Sequence, residues 1–205
     1  MADLPRCRLA TWKDVDGWAD SLAAQVGERG PAPETIVGLT RGGWVPARLL
    51  ADRLGVHRMV SLRAQHWGVT ATPTGAAQVT EGLSGPVRGQ RVLVVDDITD
   101  TGESLALAVA QTEEHGAARI ESATFLHIEP AKFRPTYTAE EIPRNAWVWI
   151  VFPWNYWEDI VQLAGRAVEH GGRGVERVRG TLKERCGLDL PIADLEQIAK
   201  RANFD

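Results

Sequence analysis

The stretch Val92-Leu93-Val94-Val95-Asp96-Asp97-Ile98-Thr99-Asp100-Thr101-Gly102-Glu103-Ser104-Leu105 concentrates residues able to do chemistry. Its apolar run drives a strand into a core, and Asp96 and Asp97 emerge at the carboxyl end. Two adjacent carboxylates repel each other and are costly to desolvate unless a cation or hydroxyl groups meet them. A ribose diol and a Mg2+ ion would do so. Thr99-Asp100-Thr101-Gly102 then turns tightly into a helix. The N–H groups at that helix start, with the Thr101 and Ser104 hydroxyls, make an anion cradle. Gly102 lets the backbone approach a phosphate closely. A diol site beside a phosphate site describes a ribose 5-phosphate. A strand followed by a simple helix cap would need only one such residue, not this whole series.

Two further stretches could serve the same ligand. Gly38-Leu39-Thr40-Arg41-Gly42-Gly43-Trp44-Val45-Pro46 follows a short apolar strand. Its glycines free backbone N–H groups to face an anion, and Arg41 offers bidentate donors. Read alone, it could equally be an ordinary strand–helix turn with a surface arginine. Asn145-Ala146-Trp147-Val148-Trp149-Ile150-Val151-Phe152-Pro153-Trp154 holds much of the aromatic content of a chain with eight tryptophans. Trp147 and Trp149 alternate at period two, so they either face a core or form a wall for a flat ligand.

The elements that must position these residues follow from periodicity. Thr11 and Asp14 open a helix whose face carries Trp18, Leu22 and Val26, and which Gly27 and Gly30 close. Strands are expected at 35–39, 56–62, 91–96, 120–127 and 146–151, with helices at 44–54, 102–115 and 155–169. Residues 63–85, rich in Gly and Thr with weak periodicity, read as a long loop. The alternation of strands and helices predicts an α/β fold, a doubly wound, mainly parallel sheet, with ligands beyond the carboxyl ends of its strands. Loops 40–43 and 96–104 both lie at such ends. Gly171-Gly172-Arg173-Gly174 is a joint to a helical tail, expected at about 175–186 and 191–202. The expected organisation is therefore a domain over 1–170 and a tail over 171–205.

Composition narrows the class of protein. The 205 residues are 44% hydrophobic and 24% charged, enough for a packed core and inconsistent with a wholly disordered chain. No apolar run approaches the length of a membrane helix, and Met1 to Ala10 has no signal-like apolar core, so a cytoplasmic, unanchored protein is expected. With 23 basic and 27 acidic residues, the net charge of −4 does not favour nucleic-acid binding. The basic residues between 173 and 185 read as a solvated helix face, with a polyanion contact as the alternative. Cys7 and Cys186 form neither a metal spacing nor a disulfide framework, which suits a reducing compartment.

The stretch 92–105 resembles the phosphoribosyl pyrophosphate (PRPP) motif of type I phosphoribosyltransferases, and the resemblance extends over about residues 8 to 160. That resemblance implies the doubly wound sheet, a small hood at about 129–157 and a flexible loop, here about 63–85, that closes over PRPP. It implies Mg2+-assisted transfer of ribose 5-phosphate from PRPP to a nitrogen nucleophile, with release of pyrophosphate. Asp96 and Asp97 would hold the ribose hydroxyls and Mg2+. Asp100, which with Thr99 belongs to the PRPP-binding run, would be the general base. Thr101, Gly102, Glu103 and Ser104 would hold the 5-phosphate, Glu103 through its backbone only, since a carboxylate beside phosphate repels.

Thr40, Arg41, Gly42 and Gly43 resemble the family's pyrophosphate loop, which often carries a cis peptide, placed by resemblance at Thr40–Arg41. Arg41 would stabilise the departing pyrophosphate. The 145–154 segment looks like the base-binding segment of the xanthine–guanine enzymes, with Trp149 stacking on the base and Ile150 meeting its edge through the backbone. Where the purine branch has a lysine before a proline, this chain has Glu129, which cannot donate to an oxo group. Either Lys132 swings in instead, or the base presents a donor, or Glu129 is a surface residue. The implied partners are PRPP and a purine or purine-like nucleobase, with no membrane, and with a homodimer suited to the aromatics around Trp154 and Trp157. Two alternatives stay open. One is a PRPP- or nucleotide-sensing regulator on the same fold. The other is a transferase for an unusual base in nucleoside biosynthesis.

Overall fold

The structure, a computed structural model, describes residues 4–66 and 77–202. Its contacts divide the chain into two units, one of residues 13–147 and one of residues 1–12 with 148–205.

The first unit is an α/β sheet layered with helices. Its strands are β2 (Thr35–Thr40), β3 (Met59–His66), β4 (Ala77–Glu81), β5 (Arg91–Thr99), β6 (Arg119–Glu129) and β7 (Tyr137–Pro143), in spatial order β4-β3-β2-β5-β6-β7. All neighbours are parallel except β3 and β4. The helices are α1 (Trp12–Glu28), α2 (Trp44–Leu54) and α3 (Glu103–Glu114). α1 buries Val15, Trp18, Leu22 and Val26, the face its spacing predicts. Trp18 lies against Phe125, ring centroids 5.7 Å apart, and its Nε1–H donates to Glu140 at 3.1 Å. Leu105 and Ala108 of α3 join Val37, Leu39, Val60, Leu62, Val92 and Val94 in one apolar cluster. β2, β5 and β6 are covered on both faces, so their apolar runs are near-continuous, as in a buried parallel sheet.

Three strands of this unit, β3, β4 and β7, depart from the sequence reading. β3 continues to His66 and pairs antiparallel with β4, so the expected 63–85 loop contains an edge hairpin. Gln78 and Thr80 face water, and a half-solvated edge gives little hydrophobic alternation. Residues 67–76, the centre of the expected closing loop with Trp67 and Gly68, lie outside the described residues. β7 is also unforeseen from its sequence, because Glu140 and Glu141 give it the charged character of an edge strand.

The second unit holds β1 (Cys7–Leu9), paired in parallel with β8 (Trp149–Val151), and α4 (Tyr156–Gly171), α5 (Val175–Thr181), a π-helical turn (Leu182–Cys186) and α6 (Ile192–Ala202). Ile160, Leu163 and Ala167 of α4 share one core with Val178, Leu182, Leu195 and Ile198. The tail after residue 171 therefore has no core separate from α4, whereas the sequence reading placed a boundary at 170. The tail's cations are partly spent within it: Asp189 pairs with Arg179 at 3.0 Å and with Lys183 at 2.7 Å. Cys7 and Cys186 are both free thiols, and they come within hydrogen-bond reach of each other. That bond, with burial, pushes the Cys7 thiol far up. Among the described residues, no helix is long and apolar enough to cross a membrane.

Candidate active site

β5 carries Val92 to Val95 through the core and brings Asp96 and Asp97 to its carboxyl end. Asp97 is only 8% exposed. Each carboxylate accepts the next residue's N–H, Asp96 from Asp97 at 3.0 Å and Asp97 from Ile98 at 2.9 Å. Burial, and after it the charge of Asp97, push the Asp96 carboxyl well above the usual carboxylate range. This is the electrostatic cost expected of adjacent acids, and a cation or a diol at the pair would relieve it.

The chain then turns at Asp100 to Gly102 into α3. Gly102 has φ +86°, and a methyl group there would stand 2.7 Å from the Phe133 backbone N and O. Only glycine serves both the left-handed conformation and the close approach. The Glu103 N–H donates to the Thr101 hydroxyl at 3.4 Å. A cavity of about 160 Å³ lies here, lined by Asp96 and by residues 98 to 105. It faces the first turn of α3, where main-chain N–H groups and the helix dipole favour an anion.

The glycine loop after β2 closes onto the same point. A methyl group on Gly42 would stand 2.1 Å from Asp97 Oδ2, and one on Gly43 would stand 2.6 Å from the Val95 carbonyl oxygen. The backbone at 42–43 thus lies directly on the diacid, because nothing larger than hydrogen separates them. The Thr40–Arg41 peptide is cis, where the resemblance placed it, and Arg41 is exposed.

The segment after β6 is stitched across the 99–104 loop by contacts the sequence reading did not foresee. The Lys132 N–H donates to the Thr101 carbonyl at 2.9 Å, and its Nζ pairs with Glu103 at 2.6 Å. Glu103 thus turns its carboxylate to a cation, and Lys132, one candidate to replace the missing lysine, is engaged there. Arg144 pairs with the Asp100 carboxylate and donates to the Asp100 and Pro130 carbonyls, both at 3.3 Å. Glu129, before a cis Pro130, pairs with Arg134, which also pairs with Glu141. The signal available in advance was the excess of acid in 96–103, which requires cations from elsewhere in the chain.

Trp149 and Ile150 belong to the other unit. Trp149 is half-buried against its helical core, and Ile150 is buried. Among the described residues, no three His, Cys, Asp or Glu groups gather as a metal site. Asp96 and Asp97 are a pair of hard oxygen donors, which fits Mg2+ held largely by substrate oxygens and water rather than by a protein cage.

The mainly parallel sheet sets an acid pair and two glycine-bearing loops at the carboxyl ends of two adjacent strands, and sequence comparison assigns the class of the fold. Residues 10–164 match the phosphoribosyl transferase domain, and the chain belongs to that family, with the type I fold. A xanthine-guanine phosphoribosyltransferase of Nitratidesulfovibrio vulgaris (strain DP4) is 27% identical over 147 residues, 71% of this chain and 82% of the relative. The crystal structure of a purine phosphoribosyltransferase from Pyrococcus horikoshii Ot3 superposes with TM-score 0.62 at 28% identity, covering 72% of this chain and 93% of that one. A Helicobacter pylori xanthine-guanine-hypoxanthine phosphoribosyltransferase shares the fold at TM-score 0.61 and 19% identity, covering 77% of this chain and 99% of that one.

Proposed function

We propose that this protein transfers ribose 5-phosphate from PRPP to a purine base. The observation that carries the reading is the apposition of the Gly42-Gly43 backbone to Asp97, beside the 99–104 cradle. It puts the loop we assign to pyrophosphate, the acid pair we assign to the ribose diol and the cradle we assign to the 5-phosphate at the ends of two adjacent strands. The relatives named for xanthine, guanine and other purines support the base class.

In this reading Thr101, Gly102, Ser104 and the Glu103 backbone hold the 5-phosphate, and Asp96 and Asp97 hold the ribose hydroxyls. Thr40, Arg41, Gly42 and Gly43 receive the pyrophosphate. Mg2+ on Asp96 and Asp97 would neutralise charge on the pyrophosphate oxygens. As the bond from the anomeric carbon to the pyrophosphate oxygen breaks, Arg41 takes up the developing charge. The new bond forms to a ring nitrogen of the base, and its proton passes to the Asp100 carboxylate, oriented by Arg144. Trp149 and Ile150 are assigned to the base by the resemblance. Trp149→Ala tests this by raising the KM for base and leaving that for PRPP.

The reading is tested by mass-spectrometric detection of nucleotide from PRPP, Mg2+ and a panel of hypoxanthine, guanine, xanthine, adenine, deazapurines, orotate and uracil. Product from a purine is the expected result. PRPP binding without product from any base would favour a sensing regulator. A homodimer is part of the proposal, with exposed Trp12 and Trp157 as its apolar contacts, and light scattering on the full chain tests it.

A further inference from the structure

β5 lies between β2 and β6 in the sheet. If pyrophosphate departs toward the loop after β2, the displacing nitrogen arrives on the opposite face of the anomeric carbon, the side of β6. The carboxyl end of β6 holds a cavity of about 390 Å³ lined by His127, Glu129, Pro130, Ala131 and Arg134. It adjoins the phosphate loop: His127 is the register partner of Thr99, and the Lys132 N–H binds the Thr101 carbonyl.

Its polar groups are arranged rather than scattered. Arg134 spans two carboxylates, Glu129 at the end of β6 and Glu141 on β7. A guanidinium has five N–H donors, so two such bonds fix its plane and leave further donors for a ligand. His127 is 2% exposed, and among the described residues its Nδ1 finds no hydrogen-bond partner. A buried, unsatisfied ring nitrogen lining a cavity is a polar group that a ligand can complete.

We infer that Arg134, held in place by Glu129 and Glu141, is the specificity-determining residue of this pocket and selects a base with a lactam edge. The ring carbonyl accepts from the guanidinium, and the adjoining ring N–H donates to His127 Nδ1. Where hypoxanthine and guanine present an accepting carbonyl to the guanidinium, adenine presents a donating amino group, which sets the lactam bases above adenine. Glu129 thereby acts as a positioning residue for the cation that it lacks itself. This inference rests on the PRPP reading of the β5 loop.

The test measures kcat/KM for hypoxanthine and adenine, with PRPP binding followed by calorimetry, in the wild type, Arg134→Met and Glu141→Gln. Arg134→Met is expected to lower kcat/KM for hypoxanthine roughly 10- to 100-fold, the worth of one hydrogen bond to a charged group. The loss falls mainly on the KM for base, adenine turnover does not fall with it, and PRPP still binds. Glu141→Gln shifts the same base ratio in the same direction by less, which a merely structural carboxylate would not do. The inference is overturned if hypoxanthine turnover is unchanged, if both bases fall together while PRPP binds, or if the wild type prefers adenine. A wild type that does not bind PRPP would instead overturn the underlying reading of the loop.

Discussion

The two ends of β5 belong to one strand and meet opposite electrostatic fates. At the amino end, the Arg91 guanidinium pairs with Glu34 at 3.4 Å, the Arg91 main-chain N–H donates to the same carboxylate at 2.9 Å, and the side chain donates to the Ala32 carbonyl at 3.2 Å. At the carboxyl end, two like charges sit side by side under a glycine loop that leaves no room for a methyl group. The amino end is closed by the chain's own partners. The carboxyl end is assembled at a cost in stability, as expected where a ligand completes the charge balance. The parallel run of strands makes this asymmetry possible, since β3, β2, β5, β6 and β7 deliver their carboxyl ends to the same end of the sheet.

That contrast is open to direct test. Asp97→Asn should lower kcat/KM with PRPP by on the order of 10³-fold, in the range lost with one preorganised electrostatic group. Full turnover in steady-state assays would remove the diacid from the mechanism. Gly42→Ala should cost about 10²-fold, because a displacement of the loop by about an ångström misplaces pyrophosphate. A crystal structure of the variant should show the loop lifted from Asp97.

Asp96→Asn should raise the melting temperature by a few degrees while abolishing turnover, the usual exchange of function for stability. The sign follows from the carboxyl's raised position. The folded state binds that proton more tightly than the unfolded one, so stability falls as pH rises out of the carboxylate range through the folded value. Calorimetry should show that slope in the wild type and a flatter one in Asp96→Asn.

His127 behaves oppositely. Burial, then the charge of Arg134, push its imidazole below the ordinary histidine range. The unfolded state therefore binds the proton first, and stability declines as pH falls below about 6.5. Urea midpoints at several pH values should show a shallower decline in His127→Gln. The smallest effect belongs to the amino end. Arg91→Ala should cost about 1 kcal/mol or less by urea denaturation and leave kcat/KM unchanged, since its ion pair is largely exposed. A large loss of activity there would erase the contrast between the two ends.

Much of this was legible in the sequence because the loop proposed as the phosphate cradle is local. Strand, turn and helix start are consecutive between Val92 and Leu105, and main-chain N–H groups would do most of the binding in the proposed role. The loop at 40–43 was legible for the same reason. What escaped was cooperative across the chain. β7 hides behind Glu140 and Glu141, and β4 behind its polar residues, because an edge strand need bury only part of itself. Glu129 looked like a departure from the purine pattern, and its sharing of Arg134 with Glu141 depends on β6 and β7 lying side by side in register.

By itself the sequence determined the α/β class, the acid pair, both glycine-bearing loops and the residues expected to carry PRPP. Only the tertiary structure decided that Gly42 rests on Asp97, that Arg144 and Lys132 answer the acids of the loop, and that the tail shares a core with α4. It also brought Cys7 to Cys186 from nearly opposite ends of the chain. The physical reason is range: backbone geometry and hydrophobic period are written in neighbouring residues, whereas the partner of a charge or a thiol is set by which strands and helices pack together.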